Sequence, residues 1–144
     1  MAVLFFWKGD NYTRDMANGP EYHLNQDSSR MASLRPGDHV WAFTRREDKT
    51  YVLAADLVVV GVSKNRPGAD GAEYGKNHVD GDRRSSRYFD VSVGPDVEPA
   101  IRGMGFDPKD RALGSGFQGL AAVKPLPAHH ERILRSFASG LPTI

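Results

Sequence analysis

The chain has 144 residues, 40% of them hydrophobic and 26% charged, with a formal net charge of +1 and no cysteine. That length suits a single domain, 1–144, able to bury a core of its own. The absence of cysteine excludes disulfide staples and thiolate metal sites, and the near balance of charge confines any basic contact surface to a local patch. No apolar run approaches the roughly 20 residues of a membrane-spanning helix. The opening MAVLFFWKGD lacks the basic lead and small-residue cleavage site of a secretory signal. A cytoplasmic protein with no membrane partner is the expectation.

In chain order, residues 2–7 are β-branched, aliphatic and aromatic and stop at Lys8-Gly9-Asp10, which predicts a strand covered on both faces. Residues 11–25 are polar around Gly19-Pro20 and read as a loop with at most one helical turn. Asp27 or Ser28 is placed to cap a short helix over 29–34, with Met31 and Leu34 on its inner side. Arg35-Pro36-Gly37-Asp38 carries turn chemistry. A hairpin then follows, strands over 39–44 and 51–60 joined by a charged loop, and the second strand is apolar at nearly every position, as a strand covered on both faces requires. This hairpin is the expected spine of the fold. Residues 63–86 form a long polar insertion, of the kind that is functional or unordered in compact domains, and it ends in Arg83, Arg84 and Arg87. Alternation over 88–93 predicts a half-buried strand. A short helix through Gly103, a Gly-rich loop over 107–116, a strand over 120–126 and a helix opened by Pro127 complete the chain; Ile133, Phe137 and Leu141, with Leu134, form the helix's predicted apolar face. The sum is an α+β domain: about five strands in a small barrel or strongly curved mixed sheet, with three short helices around it.

The residue types exclude several chemistries. No pair among His23, His39, His78, His129 and His130 has the spacing that places two imidazoles on one face, so no metal site is expected. There is no GxSxG elbow. Gly114-Ser115-Gly116 lacks the Lys-Ser/Thr of a phosphate loop and reads as a turn, so no cofactor is expected. Asp56 stands out inside an apolar strand, where a carboxylate must find donors or shift its pKa. The aromatics are more suggestive. Trp7 and Phe117 lie at loop junctions, whereas Trp41 and Phe43 alternate along a strand as core residues do.

Four segments carry a resemblance. VLFFWKG, NQDSSRMASLRPGDHVWAF, YVLAADLVVVG and LGSGFQGLAAVKPLPAHHERIL together resemble the PUA-like superfamily, in particular the EVE family and its YTH relatives. The second holds a helix leading into a Gly-Asp-hydrophobic turn, and the last a strand ending in V-x-P-L before a terminal helix. The resemblance implies a mixed fold around a five- or six-stranded barrel and a pocket for one nucleic-acid base, often a modified one, taken out of the stack. Such a base needs an aromatic surface, groups that read its edge, and cations for flanking phosphates. Trp7, Trp41 and Phe117 are the candidates for stacking, Asn25, Ser28, Ser29 and Gln118 for the edge, and Lys8, Arg30, Arg83, Arg84 and Arg87 for phosphates. The expectation is a non-enzymatic domain that binds DNA or RNA, with the oligomeric state open. Two other readings stay open: a small nucleotide- or RNA-directed hydrolase using Asp38, Asp56, His39, Lys8 and Arg87, and a protein-interaction module using the 63–86 insertion.

Overall fold

The computed structural model describes residues 1–68 and 75–144; the middle of the 63–86 insertion, with Tyr74, lies outside the described residues. Among the described residues the chain forms seven strands and four short helices: β1 (Ala2–Phe6), α1 (Gly9–Asp15), β2 (His23–Gln26), α2 (Ser29–Ala32), β3 (His39–Arg45), β4 (Tyr51–Lys64), β5 (Asn77–Gly81), β6 (Arg87–Tyr88), α3 (Glu98–Gly103), β7 (Val123–Leu126) and α4 (Ala128–Ala138). The strands make one mixed sheet in the order β2-β5-β4-β3-β1-β7, with β6 on β4. Only β1 and β3 run parallel; the other pairs are antiparallel. The domain is α+β, a curved mixed sheet with helices packed against it. No helix among the described residues is long and apolar enough to cross a membrane.

The hairpin is the spine that its sequence predicts. β3 and β4 pair from His39↔Val58 to Arg45↔Tyr51, with a register shift between Ala42 and Phe43. β4 then continues beyond residue 60, passes a second irregularity between Val59 and Gly61, and pairs with β5. One long strand thus belongs to both halves of the sheet, and its bulges supply the curvature.

Side chains that alternate along these strands supply two cores, one on each face. Leu4, Trp41, Phe43 and Leu53 pack with Ile101, Leu113, Phe117 and Leu134. Val3, Phe5, Val40, Ala42 and Leu57 pack with Met31, Leu34, Val79 and Tyr88.

Several local expectations are corrected. Residues 11–15 of the 11–25 segment belong to α1 and 23–25 to β2, with a loop over 16–22 between them; α1 buries no residue completely, so it leaves no apolar stripe in the sequence. The described part of the 63–86 insertion is not structureless, because it contains β5, whose buried residues are Asn77 and Val79. Asn77 donates to the Ser28 carbonyl at 3.1 Å and accepts from Lys64 Nζ at 2.9 Å, so a polar residue occupies an interior position. The strand over 88–93 shrinks to β6, because Asp90 accepts from the backbone N–H and hydroxyl of Ser92 and turns the chain. The last strand begins at Val123, after a 3-10 turn over Gly119–Ala121. In α4 the buried residues are Leu134 and Ala138, whereas Ile133 is 39% exposed.

Candidate functional site

A cavity of about 550 Å³ opens on the second of these faces. Its apolar lining comes from Phe5, Val40, Ala42, Ala55, Leu57 and Tyr88, and its polar lining from Lys8, Asn11, Arg14, Asp15, His23, Asn25, Gln26 and His78. Volume and mixed lining are those of small-molecule or base-sized sites. β1 ends beneath it. Trp7 extends β1's path, with its backbone N–H donating to the Phe43 carbonyl at 2.8 Å, and Lys8 stands at the N-cap of α1.

Trp7 is held from three directions. Its indole Nε1–H donates to Asp15 Oδ2 at 3.0 Å, and its ring stands edge-on to Tyr12 at 5.1 Å and to Tyr88 at 6.3 Å. A ring so fixed is a preorganised stacking surface. Asn25 Oδ1 accepts from Asn65 Nδ2 at 2.8 Å and lies 3.0 Å from His78 Nδ1. The His23 and His78 rings stack at 5.1 Å along the same wall. Burial above all pushes the Tyr88 hydroxyl up to about 12, against an opposing hydrogen bond from the Tyr22 backbone. Tyr88 is therefore a neutral phenol at physiological pH, a wall rather than a base. Lys8 is exposed at the rim and makes no ion pair among the described residues. Arg83 lies 5.1 Å over the Tyr22 ring, which in turn stands edge-on to Tyr88.

The structure brings Trp7, Asn25 and Lys8 together and separates the rest of the sequence-predicted set. Trp41 is 0% exposed, its Nε1–H donates to Glu131 Oε2 at 3.0 Å, and Arg135 lies over its ring; it is closed to any stacking partner. Phe117 is 5% exposed and packs edge-on to Phe43 at 5.0 Å, in the core of the opposite face. The reason is parity: positions 41 and 43 point away from the cavity, and the loop that holds Phe117 and the exposed Gln118 covers them. Phe117 does not line the cavity that Asn25 lines, so these two do not form one mouth. Ser28 caps α2, its Oγ accepting from the Arg30 backbone at 3.2 Å, and neither Ser28 nor Ser29 lines the cavity. Arg30 and Arg84 are exposed outside it. Arg87 is engaged elsewhere, donating to Asp56 Oδ2 at 3.2 Å.

Asp56 finds the donors that its position demands. It is 2% exposed and takes His39 Nδ1 at 2.6 Å on one oxygen and Arg87 on the other. At Gly114 a Cβ would fall within 2.5 Å of the Phe6 ring, so the Gly-rich turn reflects close packing rather than a phosphate cradle. Among the described residues no group of three or more His, Asp or Glu side chains is arranged to hold a metal ion.

Sequence reasoning missed Arg14, Asp15, His23, Asn65, His78 and Tyr88. His23 and His78 lie on β2 and β5, short polar strands with no apolar alternation of their own, and Arg14 and Asp15 on α1, which has no apolar stripe.

No known protein family matches the sequence, and no curated protein matches it.

Proposed function

We propose that this is a non-enzymatic nucleic-acid-binding domain that takes one base, modified or not, out of its strand and into the cavity beside Trp7. One observation carries the reading: a single cavity of base-accommodating size holds a rigidly fixed indole, an amide with open N–H donors and an unpaired ammonium. These are the three functions a flipped nucleotide requires: a stacking face, an edge reader and a phosphate contact. Trp7 stacks, Asn25 reads the edge, and Lys8 meets the backbone. The PUA-like and EVE-type resemblance is supported by the curved mixed sheet and by β7 running through Leu126 directly into α4. Asp56, His39 and Arg87, three of the groups named for the hydrolase reading, are committed to one another on the opposite face.

The test is a fluorescence-anisotropy titration with labelled single-stranded DNA and RNA, unmodified and carrying methylated or oxidised bases, at low and moderate salt. Binding should weaken with salt at about 0.7 log units per log unit for each phosphate contacted. Trp7→Ala should cost about tenfold or more in affinity, the scale of one lost base–aromatic stack. Failure of every oligonucleotide to bind at low salt would falsify the proposal.

A further inference from the structure

The polarity of the Asn25 amide is dictated by a chain that begins at a backbone carbonyl. Asn65 lies just beyond β4, where its backbone N–H donates to the Lys76 carbonyl at 2.7 Å. Its side-chain nitrogen lies 2.7 Å from the Gly75 carbonyl and 2.8 Å from Asn25 Oδ1. A carbonyl oxygen only accepts, so it is Asn65 nitrogen, not oxygen, that faces Gly75. The second hydrogen of that nitrogen points at Asn25, and the atom it meets must be an acceptor, the Asn25 oxygen. His78 Nδ1 lies 3.0 Å from the same oxygen and donates to it when that nitrogen carries a hydrogen, while His78 Nε2 lies 2.9 Å from Asp80.

With that hydrogen in place both lone pairs of Asn25 Oδ1 are used. Its Nδ2, with two N–H groups, has no partner among the described residues, and Asn25 lines the cavity. The head of the chain is fixed in turn: Gly75 is buried, and a Cβ there would fall on the backbone of Gln26. An asparagine in a binding site ordinarily rotates to offer either its oxygen or its nitrogen to a ligand. This one offers donors only.

We propose that Asn65 is a positioning residue that locks Asn25 as a donor, so that the cavity selects a base presenting acceptors at that edge, an oxo-base over its amino counterpart. This rests on the base-binding reading above. An amino group placed against Asn25 Nδ2 would bring donor against donor and leave both without a partner, which is the strongest form of discrimination a polar site has.

The test uses labelled single-stranded RNA with one central variable base, compared in two pairs: hypoxanthine against adenine and uracil against cytosine. Wild-type protein should prefer the oxo member of each pair by about tenfold or more. Asn65→Ala removes the donor anchored on the Gly75 carbonyl and leaves only His78, whose hydrogen can move between its two ring nitrogens, so the ratio should collapse to within about twofold while both affinities remain measurable. Asn25→Asp keeps an acceptor for Asn65 and His78 and replaces the donor by an oxygen, so the preference should invert toward the amino base; this variant decides the matter even if Asn65→Ala does not fold by circular dichroism. Wild-type binding without preference, or an Asn25→Asp protein with the wild-type preference, overturns this inference and leaves the base-binding reading standing. Wild-type protein that binds none of the four probes overturns both.

Discussion

Replacing Asp56 by alanine removes the only acceptor shared by His39 and Arg87. Asp56 is 2% exposed and receives one hydrogen bond on each oxygen, at 2.6 and 3.2 Å. A hydrogen bond to a charged group contributes about 1.5–3 kcal/mol, and deleting one member of a buried ion pair costs about 3–5 kcal/mol. The His39 and Arg87 side chains keep 22% and 38% of their surface in water, so solvent recovers part of the loss and the low end applies, about 3 kcal/mol. With an unfolding entropy of about 2.1 cal/mol/K per residue, a chain of 144 residues should lose roughly 10 °C in melting temperature. Asp56→Asn should lose most of this, because the amide offers an acceptor to one partner and sets a donor against the other. A thermal melt followed by circular dichroism measures the shift, and the double variant Asp56→Ala/Arg87→Met measures the coupling, expected at about 1 kcal/mol or more. A melt within about 2 °C of wild type, or strict additivity in the cycle, would refute the view that Asp56 is held by, and holds, these two partners.

Two further outcomes follow from the placement of the rings. Phe117→Ala should destabilise the protein by about 3–5 kcal/mol in urea unfolding, yet leave oligonucleotide affinity unchanged under folding conditions, because Phe117 belongs to the core opposite the cavity; lost affinity in a folded variant would contradict that placement. Tyr88, raised by burial from 10.0 to about 12, retains its proton in the folded state while the unfolded chain releases it. Its contribution is therefore complete below pH 10 and is lost as pH rises toward 12. Wild-type stability should fall by roughly 2–3 kcal/mol across that window from this group alone. Tyr88→Phe should lack that component when urea midpoints are compared at increasing pH, and identical slopes for the two proteins would show that Tyr88 titrates as an exposed phenol.

The legible part of the fold is the part driven by local apolar pattern. β1, the β3–β4 hairpin, α2 with Ser28 at its N-cap and Met31 beneath it, and α4 all follow from runs or stripes of apolar residues and their turn residues. β2 and β5 carry no such signal. His23, Asn25, Asn77 and His78 become strand residues because β4 runs on past residue 60 and provides a hydrogen-bonding edge, and backbone pairing does not require an apolar side chain.

The candidate site divides along the same line. Trp7, Asn25 and Lys8 were legible as residue types suited to a flipped base, and Asp56 as a carboxylate in need of donors. Their grouping was not. Trp41 and Phe117 belong to the same chemical class as Trp7, and only the side of the sheet on which each ring falls separates them. The sequence by itself therefore determined the strands and helices built on apolar runs or stripes and which side chains had recognition chemistry to offer. The tertiary structure alone decided which of those side chains meet, and which way the Asn25 amide faces. Strand order and face are set by contacts between residues far apart in the chain, such as Asn25 with Asn65 and Asp56 with Arg87, and those contacts leave no periodicity in the linear sequence.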